Sequence, residues 1–193
     1  LHSLSLADKA NAWNYFTYEI NQENNLAIYI DGDCHISVNA LEDIVKIYMA
    51  NPLYNSIAGF PATHGRSIKN WRTNLIYNGE TPGNFYALTP QFIGRMKEIG
   101  FRLPIGLIGD DSLLSWVCGN DLSIHNPRKK ENFGLSISSL FYYERLVPTS
   151  PRRLKAYLRR LDRYSLRRLQ QLSIRHLLYK LDFCDLPSNM TEI

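Results

Sequence analysis

Leu26-Ala27-Ile28-Tyr29-Ile30-Asp31-Gly32-Asp33 is the stretch whose reading decides the fold. Five nearly continuous apolar residues stand between polar Asn24-Asn25 and a turn-forming Gly32, which is the pattern of a buried strand in an α/β sheet. Downstream, Ser37 or Asn39 caps a helix through Met49, and Asn51-Pro52 stops it. Ser56 to Phe60 reads as a strand, Ser67 to Tyr77 as a helix and Gly79 to Gly83 as a turn-rich loop. Phe85 to Leu88 is a strand, and Thr89-Pro90 opens a helix that ends at Gly100. Asp110 or Asp111 begins a helix stopped at Gly119, a looser region runs to about Ser150, and a long helical segment, broken once or twice, follows to about Leu181. Upstream, Leu6 to Tyr18 reads as a helix with Ala10, Trp13, Tyr15 and Phe16 on a buried face. Strands alternating with helices predict an α/β layer with parallel strands. Ligands of such sheets lie beyond the carboxyl ends of the strands, where Asp31 falls.

The 193 residues, 45% hydrophobic and 21% charged, supply one core. The expected organisation is an α/β domain over residues 1–150 and a basic helical tail over residues 151–193. The tail holds 10 basic residues against 4 acidic ones, a net +6, whereas residues 1–150 carry −2. Cys34, Cys118 and Cys184 are odd in number and lack a Cys-x-x-Cys pair, which argues against a disulfide framework or a structural zinc site and fits a reducing compartment. No apolar run approaches the roughly 20 residues that span a bilayer. The expected location is cytoplasmic, either free or peripheral at the inner face of the membrane. The 12 tyrosines and 3 tryptophans fit either core packing or the walls of a sugar pocket.

Two groups of carboxylates carry the chemistry. Asp31 and Asp33, separated by one glycine at a strand end, can both turn toward one cation. Their hard oxygens suit Mg²⁺ or Mn²⁺, an ion that completes its shell with water and substrate phosphates. A plain polar turn is the competing reading. Gly109-Asp110-Asp111-Ser112 forms the second group. One of its acids fits a helix cap, and the other, beside a like charge, fits a general base.

The order of these motifs resembles family 2 glycosyltransferases of the GT-A fold. Lys9-Ala10-Asn11-Ala12-Trp13-Asn14 is similar to that family's Lys-Ala-x-Ala-x-Asn helix, and Ile28 to Asp33 to its metal strand. Gly83-Asn84-Phe85-Tyr86-Ala87-Leu88 resembles the acceptor-side strand, and Gly109 to Leu114 the Glu-Asp-x-x-Leu segment, with Asp110 where Glu is usual. The resemblance covers roughly residues 5–120. It implies a partial GT-A sheet flanked by helices, lacking the strands that hold the nucleotide base ahead of the Lys9 helix. It further implies Asp31 and Asp33 as metal ligands to a nucleotide-sugar donor such as a UDP-sugar, and Asp111, with Asp110 beside it, as the catalytic pair. Lys9, Asn14, Gly83 and Asn84 would contact donor or acceptor. Arg163 and Tyr164, in Arg160-Leu161-Asp162-Arg163-Tyr164, stand where processive members carry Gln-x-x-Arg-Trp. The implied reaction is inverting transfer of a sugar to a saccharide or lipid-linked acceptor hydroxyl.

In the tail, Leu154, Tyr157, Leu158, Leu161 and Tyr164 share one helical face among seven arginines. A solvated face, a helix lying on an anionic membrane surface, and a phosphate or nucleic-acid patch all fit it. No nucleic-acid-binding fold is recognisable, so none is expected as partner. His35 lies two residues past Asp33, and His125 is a further candidate metal ligand. Two other functions fit the acids less completely. One is a two-metal nuclease or polymerase-like enzyme, which would place Gly109-Asp110-Asp111 on a hairpin. The other is a non-catalytic binding module.

Overall fold

The computed structural model describes residues 2–63, 65–144 and 146–193. Its elements in chain order are α1 (Lys9–Tyr15), β1 (Ala27–Ile30), β2 (Cys34–Ile36), α2 (Ala40–Ala50), β3 (Ser56–Pro61), α3 (Arg66–Tyr77), β4 (Phe85–Leu88), α4 (Pro90–Glu98), α5 (Asp110–Gly119), β5 (Phe133–Tyr143) and α6 (Pro151–Leu177). The chain is mixed α/β, with helices flanking a five-stranded sheet of order β1-β4-β3-β5-β2.

Strand direction departs from the expectation. Only β3 and β5 pair in parallel, while β1 with β4, β3 with β4, and β2 with β5 are antiparallel. Alternation of strand and helix predicts parallel neighbours only when each helix returns the chain to the same end of the sheet. Here β4 runs against both its neighbours. A second correction concerns residues 120–150, read as loose. They contain β5, an 11-residue strand paired with β3 on one side and β2 on the other.

Asp31-Gly32-Asp33 is the whole connection between β1 and β2, closed by the Cys34 N–H donating to the Asp31 carbonyl at 3.0 Å. Yet β1 and β2 are the two opposite edges of the sheet. The four steps from Ile30 to Cys34 span at most about 14 Å, so the twisted sheet bends enough to bring the end of β1 near the start of β2. The acids therefore sit at a corner where both edges and the start of β4 converge.

β4 explains how the layers stack. It is buried at every position. Tyr86 and Leu88 join the larger core with Ala10, Trp13, Phe92, Leu113 and Val117. Phe85 and Ala87 point oppositely, into a second core with Ile44, Ile57 and Phe141. This is period-two alternation with apolar layers on both faces. Much of the aromatic supply is core: Trp13, Tyr29 and Tyr86 stack in sequence, and the Trp13 indole N–H donates to the Tyr86 hydroxyl at 2.9 Å.

α6 runs unbroken for 27 residues where one or two breaks are expected. Its last part belongs to the same core as the sheet, since Ile174, Leu178 and Phe183 pack in the larger cluster. Earlier apolar positions on the helix, among them Leu158 and Leu169, are exposed. No helix among the described residues is long and apolar enough to cross a membrane.

Candidate functional site

α1 brings Lys9 to the corner of the sheet. Asp8 caps this helix by accepting from the Asn11 N–H at 2.8 Å, which fixes the direction of its first turn. The Lys9 ammonium then lies 2.8 Å from Asp31 Oδ1 and 3.3 Å from Asp110 Oδ2, and 3.5 Å from the Gly83 carbonyl. One cation thus ties the strand-end acid to the helix-start acid, although 79 positions separate them in sequence. Asn84 secures the other side of Asp31. Its carbonyl accepts from the Asp31 N–H at 2.9 Å, continuing the β1–β4 ladder, and its amide donates to Asp31 Oδ2 at 3.4 Å and to the Cys34 thiol at 3.4 Å.

α5 carries the acidic pair in its first turn. The cap is Gly109, not either aspartate: Gly109 has φ +95°, a left-handed conformation that glycine adopts without a Cβ clash. Asp110 and Asp111 occupy the next two positions, where backbone N–H groups favour negative charge. They therefore start a helix rather than sit on a hairpin. Their surroundings differ sharply. Asp110 is 5% exposed, and its Oδ2 has no directed hydrogen bond despite the nearby ammonium. Burial pushes its carboxyl above the ordinary range, Lys9 opposes that, and the Asp111 charge adds to it.

Asp111 instead lines an open cleft of about 880 Å³. Its Oδ1 accepts from Arg167 Nη2 at 2.9 Å and from the Ser112 N–H at 2.9 Å. Among the described residues nothing donates to Oδ2, which lies on the Gly83 side of the carboxylate. Gly83 backs this carboxylate: a Cβ there would stand 3.0 Å from Asp111 Cβ. Trp71, Tyr77, Trp116 and Glu80 form other parts of the cleft wall.

The residues named from sequence thus separate. Lys9, Asp31, Gly83, Asn84, Asp110 and Asp111 are one connected network. Asp33 is exposed at the turn beside it, its nearest polar contact being the Cys34 thiol at 3.7 Å. Asn14 lies apart: its buried amide exchanges two hydrogen bonds with the Leu103 backbone, at 2.8 and 2.9 Å, and so holds α1 to the loop after α4. Arg163 and Tyr164 are exposed on α6, where Tyr164 accepts from Arg160 at 2.8 Å. The arginine of this helix that reaches the acids is Arg167, one turn further on. Arg167 also donates to Ser112 Oγ at 2.8 Å, as does the Gln171 amide at 2.8 Å. His35 is exposed on β2 opposite Tyr142. His125 is exposed in a turn near Asp182, which accepts from Ser123 and Ile124.

Among the described residues no cluster of three His, Cys, Asp or Glu side chains could cage a metal. Asp31 Oδ1 is taken by the Lys9 ammonium and Oδ2 by the Asn84 amide, so a divalent ion at this turn would rest chiefly on Asp33, with substrate phosphates and water supplying most of its shell.

The buried Asp110 gives a pH signature. Its folded-state pKa lies above the unfolded value, so the unfolded chain releases the proton first as pH rises. Stability then falls as pH climbs from the ordinary carboxylate range through the raised folded value. Urea unfolding over about pH 4–7, around the ordinary carboxylate pKa, should show a shallower decline for Asp110→Asn than for the wild type. Parallel profiles would mean that Asp110 ionises without cost in the folded state.

No family model matches the chain, and no curated protein matches it.

Proposed function

We propose that this chain carries out metal-dependent, inverting transfer of a sugar from a nucleotide-diphosphate donor to an acceptor hydroxyl, on a GT-A-like sheet. The observation that carries this reading is the Lys9 ammonium joining Asp31 to Asp110, with Asp111 next along the helix and facing the cleft. A donor-side pair of acids and an acceptor-side acid thereby share one corner of the sheet.

Asp31 and Asp33 are assigned to the diphosphate end of the donor through Mg²⁺ or Mn²⁺. When bound, that ion neutralises charge on the leaving diphosphate. Lys9 fixes Asp31 and partly offsets the buried charge of Asp110. Asp111 Oδ2 takes the proton of the acceptor hydroxyl as its oxygen bonds to the anomeric carbon. The bond from that carbon to the diphosphate oxygen breaks, its electron pair leaves with the nucleoside diphosphate, and the configuration inverts. Arg167 is a positioning residue: it holds Oδ1 and leaves Oδ2 without a donor.

Titration calorimetry with UDP plus Mn²⁺ tests the donor half. Heat above that of buffer is expected. Heat equal to buffer would favour the non-catalytic module, and metal-dependent degradation of labelled DNA or RNA would favour the nuclease.

A membrane-surface role for α6 rests on a separate observation. Ahead of its apolar end at Ile174, the helix meets the body through polar groups: Gln170 accepts from the Ile108 N–H at 2.8 Å and donates to the Gly106 carbonyl at 2.9 Å, beside Arg167 and Gln171. Its apolar stripe faces outward, with Leu158 52% and Leu169 62% exposed. Residues 151–181 hold ten basic side chains against one acidic one. An exposed apolar stripe flanked by arginines suits an anionic bilayer surface, where each nearby basic residue contributes about 1 kcal/mol. Sedimentation with phosphatidylcholine vesicles containing one third phosphatidylglycerol should pull the protein down. Leu158→Ser with Leu169→Ser should weaken that binding, and added salt should too. Equal sedimentation with pure phosphatidylcholine would remove the electrostatic basis.

A further inference from the structure

The cleft beside Asp111 carries more positive charge than its own acids use. Arg128, Lys130, Arg167 and Arg175 line it, against Glu80 and Asp111. Two of these cations are committed. Arg167 holds Asp111 and Ser112. Arg128 donates to the carbonyls of Ser115 at 2.7 Å and Gly79 at 2.6 Å, which staples α5 to the turn before β4. Glu80 and Asp111 together still leave the four cations in excess, and burial pushes the Glu80 carboxyl upward, with the Arg128 charge opposing.

The other two are uncommitted. The Arg175 guanidinium lies over the Trp116 ring, 5.4 Å from its centroid, a contact that orients the fork but supplies no anion. Lys130 sits on a single helical turn just before β5. Among the described residues neither has a carboxylate partner. Both side chains are exposed, and they border a wide, open cleft whose wall includes Trp71 and Trp116, so an anion entering it meets two cations not already paired with a carboxylate. An arginine pre-oriented on an aromatic face is suited to forked recognition of phosphate oxygens.

We infer that the cleft binds a phosphoryl group on the acceptor, held by Arg175 and Lys130 while the acceptor hydroxyl faces Asp111. This rests on the assignment of the Asp111 side to the acceptor, but anion binding is measurable without transfer. The phosphoryl group is either that of a soluble sugar phosphate or that joining a sugar to a lipid, the sugar supplying the hydroxyl in both cases, and the same two side chains would read both.

The test is titration calorimetry in EDTA, which removes any metal-borne phosphate binding at Asp31 and Asp33. Glucose 1-phosphate, glucose, and farnesyl phosphate in neutral detergent micelles are the probes. Glucose 1-phosphate should bind more tightly than glucose. Arg175→Gln and Lys130→Gln should each weaken it about tenfold, the scale of one charge-assisted hydrogen bond. Arg152→Gln, at the far end of α6 and outside the cleft, should leave it unchanged. Tighter binding of farnesyl phosphate than of glucose 1-phosphate, with the same dependence on Arg175 and Lys130, identifies the lipid source, and the reverse order the soluble one. Equal affinity for glucose and glucose 1-phosphate would overturn the inference. So would a loss in Arg152→Gln matching that in Arg175→Gln, since net charge alone would then govern binding. Phosphate recognition without any sugar transfer would leave the anion site standing and remove the transferase reading. Transfer that is indifferent to Arg175 and Lys130 would do the opposite.

Discussion

Asp111→Asn is expected to lower turnover by about 10²–10⁴-fold, the usual contribution of a positioned general base, while metal-dependent donor binding stays near the wild-type value. The substitution is nearly isosteric. The amide oxygen can still accept from Arg167 and from the Ser112 N–H, the two bonds that now hold Oδ1. What disappears is the ability of the other side-chain atom to take a proton. Asp111 lines the cleft on one side and is backed by Gly83 on the other, so the loss falls where an acceptor would lie. A steady-state assay should show the fall in kcat with little change in KM for the donor. Unchanged turnover would return the proton to Asp110 or to solvent.

Asp110 is less suited to that task because of where the helix puts it. It is buried under Lys9 and does not line the cleft, whereas Asp111, one residue on, does. A rotation of about 100° per residue is enough to separate the two environments. Sequence places both acids at the helix start but does not tell which one meets solvent. That depends on the packing of Leu113, Leu114 and Val117 beneath the helix.

Some of the fold is legible for clear reasons. β1 and β4 are both short apolar runs with polar punctuation and both are strands, but only β4 is interior; β1 is an edge strand with Ala27 buried and Ile30 exposed, because an apolar run does not tell which strand has a neighbour on each side. Pro90 at the first position of α4 and Gly100 just beyond its end mark that helix. β5 was hidden by its serines. Phe133-Gly134-Leu135-Ser136-Ile137-Ser138-Ser139-Leu140 reads as loop chemistry. In the fold, Ser136 and Ser139 are buried and lie 2.6 Å apart, and Ser139 donates to the Ala40 carbonyl at 2.8 Å. Hydroxyls satisfied in this way cost little to bury. Strand direction was illegible for another reason: antiparallel pairing of β4 with β1 and β3 is a long-range choice that no local window contains.

The site divides in the same manner. Lys9, Asp31 and Asp110 were legible as residue types in order, but not as one ion-pair network. Arg167 was missed because seven arginines share the early part of α6 and the apolar spacing draws the eye to Leu154, Leu158 and Leu161. The body packs against a different face. Arg167, Gln170 or Gln171, Ile174 and Leu178 follow helical spacing, and the last two are buried. That spacing was the available signal.

Asp33→Asn should abolish metal-dependent nucleotide binding, a loss of about 10²-fold or more given that even outer-shell changes at metal sites cost 10–100-fold. Asp33 is the sharper probe of the pair. It is exposed, and among the described residues its one polar contact is a long one to the Cys34 thiol, so stability should change by no more than about 0.5 kcal/mol. Asp31→Asn would confound the result, since Asp31 also anchors Lys9 and is held by Asn84. Calorimetry with UDP and Mn²⁺ should therefore give wild-type heat for Asp111→Asn and buffer heat for Asp33→Asn. Chelation with EDTA should cost the wild type as much as the substitution does, and should cost the Asp33→Asn protein nothing further. Wild-type binding that survives EDTA, or an equal loss in both variants, would separate the Asp31-Gly32-Asp33 turn from any metal and leave it as a tight connection between two sheet edges.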